Sequence, residues 1–293
     1  MDMATAPSRV KMRLPSLTAA NVVLILACAL IALPMLYSVA KFSWSTEQGG
    51  HGPLVLATGL WLLWREHQIA DAPVVAPRPL IASLGIAALL VVYFFARVTG
   101  ILEIEAFAIY GAFLLGAYLL WGGRILRQLW FPLVYLALTL PPPDTVVAAI
   151  TQPIKIIISQ VAVWLLHAAG YPIANSGVMI QIAQFELLVA AACAGLNSIL
   201  SLSAICLFYG YLRHRSDGVQ LFFIALAIIP VAILSNFVRV LVLILITYYF
   251  GEAAAQSFLH DFAGLTMFLV ALLSIFAYDE AVFKLRRARG KLS

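Results

Sequence analysis

Charge is scarce in this 293-residue chain. Asp, Glu, Lys and Arg together make up 11 % of it, against 63 % hydrophobic residues. A soluble domain carries roughly 25 % charged residues. The mean hydropathy of +1.01 agrees. Such a chain cannot cover itself with a surface that water wets, which excludes a soluble enzyme and a disordered protein. Cysteine is scarce too. Cys28, Cys193 and Cys206 are too few for the disulfide framework of a secreted scaffold, and none shows metal-ligand spacing. Internal repeats and low-complexity linkers are missing. What is present is a series of apolar runs longer than the roughly 10 residues of a barrel strand. They imply an all-α polytopic membrane protein, organised as one integral membrane domain over 1–293 with polar, basic tails at 1–16 and 283–293.

The net charge of +5 does not point to nucleic acid, because the basic residues stand between apolar stretches and act as topology signals. Eight transmembrane spans are predicted, at 17–40, 53–64, 79–97, 101–121, 128–141, 193–212, 219–250 and 262–282. The first is read as a retained signal anchor, since it exceeds the apolar core of a signal peptide. With both termini inside, the loops holding Arg9, Lys11 and Arg13; Arg65 and Arg78; Arg124 and Arg127; Arg213 and Arg215; and the tail from Lys284 to Lys291 all face the cytoplasm. Only Lys41, Arg97, Lys155 and Arg239 of the 18 basic residues fall elsewhere.

Residues 145–169 are long enough to span, but a crossing there would put Arg213 and Arg215 outside. The segment carries Gln152, Pro153, Lys155, Ser159 and Gln160, so an interfacial or re-entrant helix at the outer face is expected. Pro141, Pro142 and Pro143 would redirect the chain into it. After the turn-formers Gly170, Pro172, Asn175, Ser176 and Gly177, apolar residues alternate through Ile180, Ile182, Phe185 and Leu187. That pattern predicts a small β-hairpin at the outer face.

Polar groups outside or within the bilayer are informative because burial in lipid penalises them. Cys193, in VAAACAGLNSIL, falls at the outer start of a span, where a helix N-terminus favours a thiolate. Ala192, Ala194 and Gly195 leave room around the sulfur. The alternative is a small packing residue. Cys206 lies thirteen residues on, about 20 Å along a helix and too far for a disulfide; it and Cys28 read as packing. Arg239, in LSNFVRVLVLI, follows a break signalled by Pro230 and Ser235-Asn236. It is a site candidate or a snorkelling side chain, and Asn236 makes its face polar. His260, in QSFLHDFAGLTMF, stands at the outer start of the last span, with Gly264 one turn on to admit a neighbour closely. His51 and His167 are its rivals outside; His67 and His214 fall inside. No carboxylate is expected in the apolar core, Glu103 and Glu105 lying near an outer span end. A thiol, an imidazole and a guanidinium on one side of the membrane suit acyl transfer.

These segments resemble the exosortase and archaeosortase family of membrane-embedded cysteine transpeptidases, from about Gly50 to Tyr278. The family's Ala-Cys-Ser-Gly-Leu box is matched by Ala192-Cys193-Ala194-Gly195-Leu196, with alanine in place of serine. The arginine box is similar to Ser235-Asn236-Phe237-Val238-Arg239, and the histidine box to His260-Asp261-Phe262-Ala263-Gly264. His51-Gly52-Pro53-Leu54-Val55 and Leu140-Pro141-Pro142 also fit. The resemblance implies a bacterial inner-membrane thiol protease or transpeptidase with its active site facing the periplasm. Its partners would be exported proteins with a C-terminal sorting signal: a short motif, often Pro-Glu-Pro, an apolar helix and a basic tail. Cleavage and transfer to a surface acceptor, linked to extracellular polysaccharide, are expected. Cys193 would be the nucleophile, His260 the acid/base and Arg239 the electrostatic stabiliser, supported by Asn236, Gly195 and Gly264. No cofactor, metal or nucleic acid is expected; membrane lipids are. The rival classes are a transporter or channel with Arg239 as an anion site, against which no inverted repeat is found, and a non-catalytic scaffold for polysaccharide assembly.

Overall fold

The computed structural model describes residues 9–11, 19–46, 49–68, 71–73, 77–177, 179–188, 198–215, 217–257 and 259–289. The chain falls into two compact units, 1–142 and 143–293, which divide at the proline run.

The first unit holds α1 (Ala19–Val39), α2 (Gly52–His67), α3 (Pro79–Thr99), α4 (Leu102–Gln128) and α5 (Trp130–Ala137). A π turn, Ala40–Trp44, extends α1. Two short strands, β1 (Arg9–Lys11) and β2 (Asp71–Pro73), pair antiparallel. This ties the basic N-terminal tail to the loop between Arg65 and Arg78, so both lie on one side of any membrane the helices cross. Helices α3 and α4 form a hairpin. Gly100 ends α3 in the left-handed conformation (φ 74°) that a side chain would disfavour, and the Ile101 N–H bonds back to the Ala96 carbonyl. Arg97 closes the hairpin by donating to Glu105, 2.9 Å away. That accounts for one of the basic residues outside the topology pattern.

The His51-Gly52-Pro53 segment makes a corner. His51 Nε2 donates to the Leu138 carbonyl at 3.2 Å, and Trp44 Nε1 to the Thr139 carbonyl at 3.1 Å. Both carbonyls lie just past α5, where a helix end leaves acceptors unmet. A Cβ on Gly52 would fall 2.1 Å from the Trp44 ring nitrogen, so only glycine lets the indole in. Pro53 opens α2 where no N–H is needed.

The second unit holds α6 (Asp144–Ala168), strands β3 (Ile173–Ser176), β4 (Met179–Ile182) and β5 (Phe185–Leu188), then α7 (Ser198–Arg213), α8 (Gly218–Phe250), α9 (Glu252–Ser257) and α10 (Leu259–Ala288). Where a two-stranded hairpin was expected, the chain makes a three-stranded antiparallel meander, β3-β4-β5. Ile180 and Ile182 face inward and Gln181 outward, as the period of 2 requires.

Among the described residues, five helices are long and apolar enough to cross a membrane: 26–44, 79–99, 102–128, 144–168 and 218–250. The other predicted spans are helical, but α2 and α7 have 16 residues and α5 has 8, about 24 and 12 Å of helix. Apolar runs broken by Trp, Pro or Gly give shorter helices than their hydropathy suggests. Pro153 does not end α6, and by length and composition it is among the five helices that could cross a membrane. Its polar residues form no single wet face. Ser159 is buried and donates to the Gly177 carbonyl at 3.3 Å, whereas Gln152 and Gln160 are exposed.

Candidate active site

Every residue singled out for chemistry lies in the second unit, and α8 organises it. One stripe of α8 is buried: Gln220, Leu221, Ile224, Ala227, Ile228, Ala232, Asn236, Arg239, Val240, Ile244 and Thr247. Steps of three and four keep these residues on one face. The lower part, Ile224, Ile228 and Ala232, packs with Leu202 and Cys206 of α7 and with Ala271 and Ile275 of α10. The upper part, Val240 and Ile244, packs with Ile158, Ala162 and Leu166 of α6, Ile173 of β3, and Ile180 and Ile182 of β4.

Asn236 and Arg239 occupy the gap between these clusters. They are 3 % and 7 % exposed, so Arg239 is turned into the protein. A snorkelling side chain would run along the outside of its helix. Both Asn236 amide atoms, Oδ1 and Nδ2, are buried without a hydrogen-bond partner among the described residues. Ile199, in the first turn of α7, touches both clusters. It therefore sets the start of α7 at the level of the Asn236–Arg239 layer. Cys193 stands six residues before Ile199 in the chain; it and Gly195 lie outside the described residues. His260 is in the first turn of α10 and Gly264 in the second. The link from α8 is short: Gly251 ends α8 with φ 84°, α9 follows, and α10 returns along α8. Cys206 is fully buried in the lower cluster, and Cys28 is half-buried.

The rival histidines sit elsewhere. His51 belongs to the corner of the first unit, His167 is exposed at the end of α6, and His214 is buried in a second polar cluster that the sequence reading did not foresee. There, at the opposite end of α8, Asp279 is fully buried. It accepts from Gln220 Nε2 at 2.7 Å and from Tyr209 at 3.1 Å, and His214 Nε2 lies 3.0 Å away. Gln220 Oε1 accepts from Arg286 at 2.9 Å. Arg286 grips both oxygens of Asp217, at 2.7 and 3.2 Å, while Asp217 caps α8 through the Gln220 N–H at 3.0 Å. Arg213 pairs with Glu280. Burial alone would raise the Asp217 carboxyl, but Arg286 and the Gln220 N–H hold it below the usual range. Three carboxylates, Asp279, Glu105 and Glu66, are buried within the protein. Glu105 and Asp279 have cationic or hydrogen-bonding partners, which makes them braces. The signal was an Asp near a helix end, turned inward beside a Gln at the start of an apolar run.

The chain matches the transmembrane exosortase family over residues 44–277, across both units. It belongs to that family. Neither the curated proteins nor the solved structures yield a match. Family membership places the chain among membrane proteins that process sorting signals.

Proposed function

We propose that this chain is a cysteine transpeptidase or protease of the bacterial inner membrane that cleaves C-terminal sorting signals of exported proteins on the periplasmic side. The observation that carries this reading is the buried Asn236–Arg239 layer, level with the start of α7, in a chain of the exosortase family. A bilayer protein does not keep a guanidinium in an apolar seam without a use for it.

The chemistry is acyl transfer. His260 takes the proton from the Cys193 thiol, and the sulfur attacks the scissile carbonyl. Arg239 donates to the oxyanion as negative charge develops there. The C–N bond breaks, and His260 returns its proton to the leaving amine. The thioester then yields to an acceptor amine or hydroxyl, or to water. Gly195 and Gly264 leave space for close approach. A substrate with its own membrane helix is already confined to two dimensions beside the enzyme, which lowers the entropic cost of encounter.

The proposed sidedness rests on the basic residues, with Arg213, Arg215 and the C-terminal tail in the cytoplasm, and so on α6 re-entering at the outer face rather than crossing. Two observations support it. The Arg213–Glu280 and Arg286–Asp217 pairs tie that loop to the end of α10. At the other end of α8, Tyr248 and Tyr249 gather with Tyr171, the two hydroxyls of Tyr171 and Tyr249 being 2.9 Å apart. Aromatic belts of this kind mark an interface. The reading extends to one family domain across both units, Pro-Glu-Pro tails as substrates, and a link to extracellular polysaccharide. Co-expression with a tail-bearing exported protein tests it. Wild type should release the tail, detected by mass, and Cys193→Ala should leave it intact at equal membrane abundance. Tail release by Cys193→Ala would overturn the covalent mechanism.

A further inference from the structure

Asn236 carries an unmet requirement. Its carboxamide has two N–H donors and an acceptor oxygen with two lone pairs, and among the described residues none of them is satisfied although the residue is 3 % exposed. Four residues earlier the stripe is held by Ala232 in the lower apolar cluster, and four residues later by Val240 in the upper one. The buried members of both clusters are apolar. An isosteric leucine would suit such a seam better, so packing does not explain the amide. By helical rise it lies about 27 Å from the start of α8 and about 21 Å from its end. The Tyr248–Tyr249 end is thus well beyond it.

We infer that the Asn236 carboxamide clamps the backbone of the substrate: it holds one peptide unit of an extended segment, with Nδ2 donating to the carbonyl and Oδ1 accepting from the N–H. This rests on the processing reading above for the identity of its occupant. The match is in the requirement. A peptide bond offered to a nucleophile cannot remain inside a helix, because there its carbonyl is shielded and already bonded. Once unwound at membrane depth, its N–H and C=O lose their partners and need others from the protein. Enzyme and substrate each hold an unmet amide until they meet. The pairing copies the residue pair of an antiparallel ladder that exchanges both N–H···O bonds. An anion would suit Arg239 but leave the Oδ1 acceptor unused. A peptide unit uses both ends, and it does so whatever the substrate's side chains are. Selectivity for a sequence motif must therefore come from elsewhere, while Asn236 selects an extended backbone.

The test uses the full chain in lipid nanodiscs and a synthetic tail peptide: a Pro-Glu-Pro motif, an apolar segment and a basic end. Binding is measured in a Cys193→Ala background, so that no cleavage intervenes, with Asn236 or with Asn236→Leu. A second peptide has its first amide after the motif replaced by an ester, which removes one N–H. The expected result has two parts. Asn236→Leu should unfold at a temperature equal to or above that of its parent, since it removes an unsatisfied polar group from an apolar seam. It should bind the amide peptide roughly 10- to 100-fold more weakly. The ester should weaken binding to the Asn236 protein several-fold and leave Asn236→Leu unaffected. A lower unfolding temperature for Asn236→Leu would make the amide a structural brace and overturn the clamp. So would equal Kd values for the two proteins, or no binding by either. Asn236-dependent binding with no cleavage by the Cys193 enzyme would sink the processing reading and keep the clamp. Cleavage with Asn236-independent binding would do the reverse.

Discussion

Two polar clusters along α8, one at its start and one at mid-helix, differ in character. At the Asp217 end every named group has a partner: Asp279 is held by Gln220, Tyr209 and His214, Gln220 also by Arg286, and Arg286 by Asp217. At mid-helix the buried Asn236 carboxamide has none among the described residues, and the buried Arg239 beside it is not itself unpartnered. Both clusters sit on one helix face among the same kind of apolar neighbours. The difference separates a brace from a site. A closed network holds helices together and has no capacity left for a ligand. An open one costs stability until something binds. Burial and polarity alone would have scored the two alike, and hydrogen-bond accounting tells them apart.

That contrast can be broken, and the largest expected effect falls at the open cluster. Cys193→Ala and Cys193→Ser should abolish tail processing, while Cys28→Ala and Cys206→Ala should keep it; the readout is the cleaved fraction at equal enzyme abundance. Arg239→Lys comes next. If the planar fork of donors serves an oxyanion, a flexible ammonium replaces it poorly. Processing should fall about 10²–10³-fold, about 3–4 kcal/mol of transition-state stabilisation, with insertion intact. Near-normal cleavage by Arg239→Lys would remove the electrostatic role. His260→Ala should fail similarly, and combining it with Arg239→Lys should add little, because parts of one machine are non-additive.

The closed cluster should respond in stability instead. Gln220→Leu leaves Asp279 and Arg286 each short of a partner inside the protein and should cost about 2–4 kcal/mol. A lower thermal midpoint in detergent, with unchanged processing per folded molecule, is the expected pair of results. Loss of processing without loss of stability would mean that the two clusters are coupled. The smallest effect concerns pH. The Asp217 carboxyl is held below its usual value, so its contribution is present above the unfolded-state pKa of about 3.9 and lost as pH falls through the lower folded-state value. The thermal midpoint of wild type should therefore drop on acidification below about pH 4, and Asp217→Asn should flatten that part of the curve.

Part of this was legible from residues alone. Low charge and long apolar runs specify a helical membrane protein without any tertiary information, because a bilayer span must satisfy its own backbone. The polar exceptions within those runs marked Asn236 and Arg239, and the boxes around Cys193, Arg239 and His260 carried the family. Span counting went less well. Hydropathy sums side chains over a window and does not register where a helix stops, so the short helices α2, α5 and α7 stand where it placed full spans. Of the polar residues that set α6 apart, Ser159 is buried against the Gly177 carbonyl, which no hydropathy window could show. The meander was read as a hairpin because alternation locates strands but not how many pair.

Sequence by itself determined the solvent this protein lives in, its family, and the residue types available for chemistry, since those depend on composition and local order. Only the tertiary structure decided which polar groups are satisfied. Asn236 and Gln220 are both amides on the buried stripe of one helix. One meets Asp279 and Arg286, brought to it from 59 and 66 residues away along the chain, and the other meets no partner among the described residues. Hydrogen bonds at such separations depend on how α7, α8 and α10 pack, and no local pattern encodes that packing.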